Sequence, residues 1–171
     1  MTPEAVGPLT RVVDVANIPP SGKHVRVEAS EEECRALAQD FGLPGIQALS
    51  GDFNLTASAK GVHVAGVVKA AITQICVVSL DPFDSNIEEE VEVDFAEASG
   101  MPPEPPTDVH EYEPPDEIVN GQIDLGALTA EFLALGLDPY PRKPGISFDY
   151  KDPKDVKDSP FAALDSLKGK E

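Results

Sequence analysis

Val62-His63-Val64-Ala65-Gly66-Val67-Val68, the run from Ala71 to Leu80, and Glu90-Val91-Glu92-Val93-Asp94-Phe95 decide the fold. β-branched residues crowd all three pieces, which suits a pleated, half-buried surface. In the last piece Val91, Val93 and Phe95 point one way, and Glu90, Glu92 and Asp94 the other. That period of two predicts a strand with an apolar inner side and a strongly acidic outer side. The run Ala71–Leu80 is broken only by polar Thr73, Gln74 and Ser79 and predicts a central strand covered on both sides. Asp81-Pro82-Phe83-Asp84-Ser85-Asn86 reads as the turn between these two strands.

Working outward, Phe53-Asn54-Leu55-Thr56 alternates, and Gly61 separates it from Val62. Arg11–Ile18 and Lys23–Glu28 flank Pro19-Pro20-Ser21-Gly22 and together predict a hairpin with one wet face. Ser30 with Glu33 is a capping box, and Cys34, Leu37, Ala38 and Phe41 follow on one helical face up to Gly42. Cys34 therefore reads as a small buried hydrophobe. Downstream, Asp124 can cap a second helix with the stripe Leu125, Leu128, Phe132, Leu135, ended by Gly136. Ser159-Pro160 opens a short segment with Phe161, Leu164 and Leu167 on one edge. The order predicts an α+β fold: a mainly antiparallel sheet, with barrel-like closure left open, and two to three short helices. The layout is one domain overall: sheet and helix over 1–96, a linker over 97–117, a helix returning to the sheet over 118–145, and a tail over 146–171.

The charge is concentrated. Residues 70–141 hold 17 of the 31 acids and no Lys or Arg, out of a net charge of −18. Residues 97–117 add six prolines, few aliphatics and many acids, which predicts a disordered acidic linker. Such a surface repels phosphate backbones and anionic membranes. Met1–Pro8 lacks the basic start and apolar run of a secretory signal, and no stretch approaches about 18 apolar residues. A cytoplasmic protein with reduced Cys34 and Cys76 is the simplest expectation.

Motifs for chemistry are missing. The sequence has no phosphate-binding loop, no dinucleotide fingerprint and no nucleophile elbow. His24, His63 and His110 have no metal-ligand spacing to one another or to a cysteine. The acids from Asp81 to Glu90 fail the calcium-loop pattern, since position 6 counted from Asp84 is Glu89 and position 12 is Phe95. The expectation is a non-enzyme without cofactor or metal.

Ile75-Cys76-Val77-Val78-Ser79-Leu80-Asp81-Pro82-Phe83, the acidic strand Glu88–Phe95, Ile123-Asp124-Leu125-Gly126 and a leucine-rich helix resemble the YceD family. Asp138-Pro139-Tyr140-Pro141-Arg142-Lys143-Pro144-Gly145 and Ser159-Pro160-Phe161-Ala162-Ala163-Leu164 are similar to its proteobacterial branch. The resemblance runs from about residue 10 to 168. It implies a bacterial ribosome-biogenesis factor that supports accumulation of large-subunit ribosomal RNA, with no enzymatic activity. Many family members carry a C-x-x-C-L core and a second cysteine pair, similar to a zinc clasp. Here Cys76 keeps the first position and Ser79 stands at the second. One thiolate falls short of the four ligands of structural zinc, so the metal does not carry over.

Two functions remain. An acidic face suits a basic ribosomal protein or a large-subunit assembly intermediate, with Asp81, Phe83, Glu88, Glu89, Glu90, Glu92 and Asp94 as candidate contacts and Phe83 as an anchor if its turn is exposed. Direct ribosomal-RNA binding is the alternative. It would use small basic patches such as Lys23 with Arg26, or Arg142 with Lys143, the latter pair also entering the candidate site.

Overall fold

The computed structural model describes residues 7–97 and 114–148. Its frame is three long strands: β3 (Gly45–Ser58), β4 (Gly61–Ile75) and β5 (Pro82–Ala96). At about 3.3 Å per residue each spans roughly 45–50 Å. They are preceded by β1 (Val12–Asp14), β2 (Lys23–Glu28) and α1 (Glu31–Asp40), and followed by β6 (Asp116–Glu117), β7 (Gln122–Asp124) and α2 (Leu125–Gly136). The sheet runs β2-β3-β4-β5-β6, antiparallel except for the β5–β6 pair, and stays open among the described residues. The fold is α+β, as expected, without closure into a barrel.

β4 is one strand where two were expected, and the turn after it comes earlier than the expected Asp81–Asn86. Val62–Val68 and the start of the apolar run are one strand, because Lys69 in its middle faces outward and pairs across the ladder with Glu88 at 3.2 Å. The strand ends at Ile75, the turn is Cys76–Asp81, and Pro82–Asn86 already belongs to β5. Only one side of β4 is covered: Val62, Val64, Val68, Ala70, Ile72 and Gln74 are buried, while their neighbours are not.

The expected N-terminal hairpin does not form. The turn at Pro19–Gly22 is present, with the Gly22 N–H donating to the Pro19 carbonyl at 2.9 Å. Asp14, however, caps a 3₁₀ turn at Val15–Asn17 and so bends the first arm away. β1 pairs with β7 instead, and β2 pairs with β3.

The inner face is filled in a regular way. Phe53, Leu55, Val64, Val68 and Ile72 are fully buried. A bulge at Gln47 in β3 shifts the register, so that Ile46 and Leu49 both face inward although three residues apart. Phe53 stands opposite Gly66, where a Cβ would meet the Asp52 carbonyl oxygen at 2.1 Å. Only glycine permits that close approach of β4 to β3.

α1 has the capping box that Ser30 and Glu33 predict, and it buries Cys34, Leu37 and Ala38. Its far end closes with Leu43 N–H to Ala38 O and Gly42 N–H to Gln39 O, with Gly42 at φ +65°. Arg11 binds both Glu33 carboxylate oxygens, at 2.8 and 2.9 Å, and ties the N-terminal segment to α1. That pairing and the Ser30 backbone N–H hold the Glu33 carboxyl down at about 2.

α2 lies on the inner face and buries Leu125, Leu128, Thr129 and Leu133, with Phe132 half-buried. The expected stripe is corrected at one place: Leu135 is 69% exposed and Leu133 takes its inward position. Leu133 stands four residues after buried Thr129, one turn further along the same face. Asp124 accepts from the N–H groups of Gly126, Ala127 and Arg11, so one carboxylate caps the helix and clasps β1. Residues 98–113 of the expected linker and the segment Phe161–Leu167 lie outside the described residues. The end of the expected linker is strand: Asp116 and Glu117 pair with Phe95 and Ala96.

Candidate functional site

The register of β5 sorts the candidate residues. Glu88, Glu90, Glu92 and Asp94 stand in one exposed row on the outer face, opposite Lys69, Val67, Ala65 and His63. Successive members of the row are two residues apart, so about 7 Å. Two are paired: Glu88 with Lys69 at 3.2 Å, and Asp94 with His63 Nδ1 at 2.7 Å. Glu90 and Glu92 face apolar neighbours and make no ion pair among the described residues. The row continues through Asp84, which accepts from Thr73 at 2.7 Å, while Thr73 in turn accepts from Gln47 at 2.6 Å.

Glu89 and Phe83 belong to the other face. Glu89 is half-buried where α2 ends, since a Cβ on Gly136 would touch its side chain. Phe83 is half-buried opposite Gln74. The most exposed apolar group of this turn is Leu80, 74% exposed at φ +62°, with Val77 exposed beside it. No sequence signal separated Leu80 from Phe83, because a positive φ on a non-glycine residue is not legible in residue type.

The segments that carry Asp81 and Arg142–Lys143 both bond to the start of the Cys76–Asp81 turn. The Cys76 N–H donates to the Asp81 carbonyl at 2.9 Å, and the Val77 N–H to the Pro141 carbonyl at 2.9 Å. Cys76 is fully buried between these segments. Its sulfur is held down at about 6 by the Ser79 hydroxyl, then by the N–H groups of Lys143, Ser79 and Val78, with the Ser79 N–H at 3.4 Å. Cys34, by contrast, is pushed up by burial and by Glu33 and Glu31.

Cys76 does not make a zinc site with these neighbours. Ser79 turns a hydroxyl and an N–H towards the Cys76 sulfur where a second thiolate would be needed, and the described residues contain no group of three metal-ligand side chains. His24 lies exposed near Asp52 at 3.8 Å, and His110 is outside the described residues. An open cleft of about 850 Å³ is lined by His63 and Asp94 themselves, with Ser58, Lys60, Phe95 and Ile118 among others. The Ser58 hydroxyl there donates to the Gly61 carbonyl at 3.3 Å and accepts from the Lys60 N–H, and is not aligned on His63.

No helix among the described residues is long and apolar enough to cross a membrane. Comparison with curated proteins and with solved structures gives no match. A family model, the large ribosomal RNA subunit accumulation protein YceD, matches residues 64–168, which takes in β4, the Cys76–Asp81 turn, the acidic strand and α2. The same span carries the row and the clasped Cys76, and with it the chain belongs to the YceD family.

Proposed function

We propose that this protein is a non-enzymatic, cytoplasmic factor that supports large-subunit ribosomal RNA accumulation by binding a basic ribosomal protein on the outer face of β5. The observation that carries this reading is the row Glu88, Glu90, Glu92 and Asp94, balanced across the ladder by one lysine and one histidine. The row lies inside a stretch, residues 70–141, without any Lys or Arg. Complementary charge on a partner would speed encounter by roughly 10–10³-fold and make it depend steeply on salt.

Direct RNA contact is the second reading. One observation favours it: Tyr140 and Phe148 are each 71% exposed on the segment that carries exposed Arg142. Aromatic faces beside a cation can stack bases. The net charge of −18 on the chain opposes it.

A pull-down from lysate at low and high salt, with and without RNase, separates the two. A basic protein retained after RNase and released by salt supports the first reading. Complete loss on RNase treatment overturns it in favour of the second.

A further inference from the structure

One side of β5 is paired with β4 along its whole length, from Pro82 opposite Ile75 to Phe95 opposite Val62. On its other side, among the described residues, the only paired strand is β6, at Phe95 and Ala96. β6 cannot grow backwards along that edge. In its parallel register Pro115 would fall opposite Asp94 and Pro114 opposite Val93, and proline has no N–H for the ladder. Towards the other end, α2 stops at Gly136, which lies over the inner-face side chains of Ile87 and Glu89, and among the described residues no strand pairs with the ladder groups of β5 there. The interval Glu88–Asp94 therefore presents backbone donors and acceptors, with acids at every second position on its outer side.

We propose that this edge takes up an extended segment of the partner as an added strand, with lysine or arginine at alternate positions set beside Glu88, Glu90, Glu92 and Asp94. The inference rests on the reading that the outer face binds a basic protein and specifies how. An added strand would lie about 4.8 Å away, and directly opposed side chains on one face would come within about 4.5–5.5 Å. Opposite charges at that distance add to the main-chain hydrogen bonds. A helical partner would present its cations three or four residues apart and would miss the period of two. A second copy of this chain is rejected, because its own acid row would face this one with like charge. The same charges that keep the edge from self-association thus select the occupant.

The test uses the full chain and a synthetic heptapeptide of alternating lysine and valine, titrated at low salt. Two backbone-methylated versions are compared with it, each carrying N-methyl groups on one alternate set of amides. An added strand uses only every second N–H, so one version should bind about tenfold or more weakly and the other nearly as well as the parent. Amide exchange within Glu88–Asp94 should slow on binding. The triple variant E88K/E90K/E92K should lose the parent peptide.

Equal binding by both methylated versions, with the triple variant still losing the peptide, overturns strand addition and leaves the acidic-face reading standing. Undiminished binding to the triple variant overturns both. Failure of the parent peptide to bind at low salt also overturns strand addition.

Discussion

The two faces of β3, β4 and β5 share a backbone but are written in different chemistry. The inner face carries Leu49, Phe53, Leu55, Val64, Val68 and Ile72, all buried, and closes against α1 and α2. The outer face carries Asp52, Lys69, Asp84 and the row from Glu88 to Asp94, all with solvent contact. The inner side should therefore govern stability and leave binding alone, while the outer side should do the reverse. A protein that needed its outer face only for solubility would tolerate sign reversal there without loss.

The largest effect should come from Phe53→Ala. The ring is fully buried against Gly51, and its removal should cost about 3–5 kcal/mol in chemical denaturation. A cost under about 1 kcal/mol would mean the inner face is not the core. Next is the triple outer-face variant E88K/E90K/E92K. Its unfolding free energy should stay within about 1 kcal/mol of the parent. Its affinity for a basic ribosomal partner should fall by roughly 10–100-fold at low salt, chiefly through slower association. Glu89 is left out of that variant because it belongs to the other face. Unchanged affinity would erase the contrast between the faces.

Ser30→Ala sharpens the contrast at a place belonging to neither face. It removes one half of the α1 capping box and should cost about 1 kcal/mol without touching binding. The partner in that box has a pH signature. With its carboxyl held at about 2, Glu33 contributes stability that is fully present above the ordinary glutamate value near 4.5, and that is lost as pH falls through about 2. Glu33→Gln should flatten this part of an acid-unfolding profile. The smallest effect belongs to Cys76, where the two faces end together at the turn. Its thiolate absorbance should titrate near pH 6, and Ser79→Ala should raise that midpoint. Stability gained from the thiolate is complete above the ordinary thiol value and is lost as pH falls through about 6. A midpoint unmoved by Ser79→Ala would show that the hydroxyl does not hold the sulfur.

Much of the contrast was legible in residue order. Val91, Val93 and Phe95 against Glu90, Glu92 and Asp94 announced both faces of β5, because a period of two has one geometric reading. The α1 cap was equally plain, since Ser30, Glu33 and Gly42 each answer a local requirement of a helix end. What escaped is non-local. Val62–Val68 and the run from Ala71 join into one strand because Lys69 between them pairs with Glu88 across the ladder. The bulge at Gln47 follows from fitting Ile46 and Leu49 to one core. β1 found β7 rather than β2 because Asp14 bends the chain, and because Asp124 can hold the Arg11 N–H from far along the sequence. Within the candidate site, the acid row was readable. The inward turn of Glu89 and Phe83 was not, since each needed the register to place it.

The β1–β7 clasp has a kinetic consequence. The strands β2 to β5 meet through short connections, whereas Val12 meets Asp124 only after about 110 residues of chain have been gathered, at an entropic cost that grows with the logarithm of the loop. Folding should therefore begin in the meander and α1, with the clasp closing last. In native-state hydrogen exchange, amides of Val13 and Ile123 should then open together, at a lower free energy than those of Phe53 and Val68. Asp124→Ala removes the carboxylate shared by the clasp and the α2 cap. It should speed unfolding far more than it slows folding, because contacts absent from the transition state act on the unfolding limb.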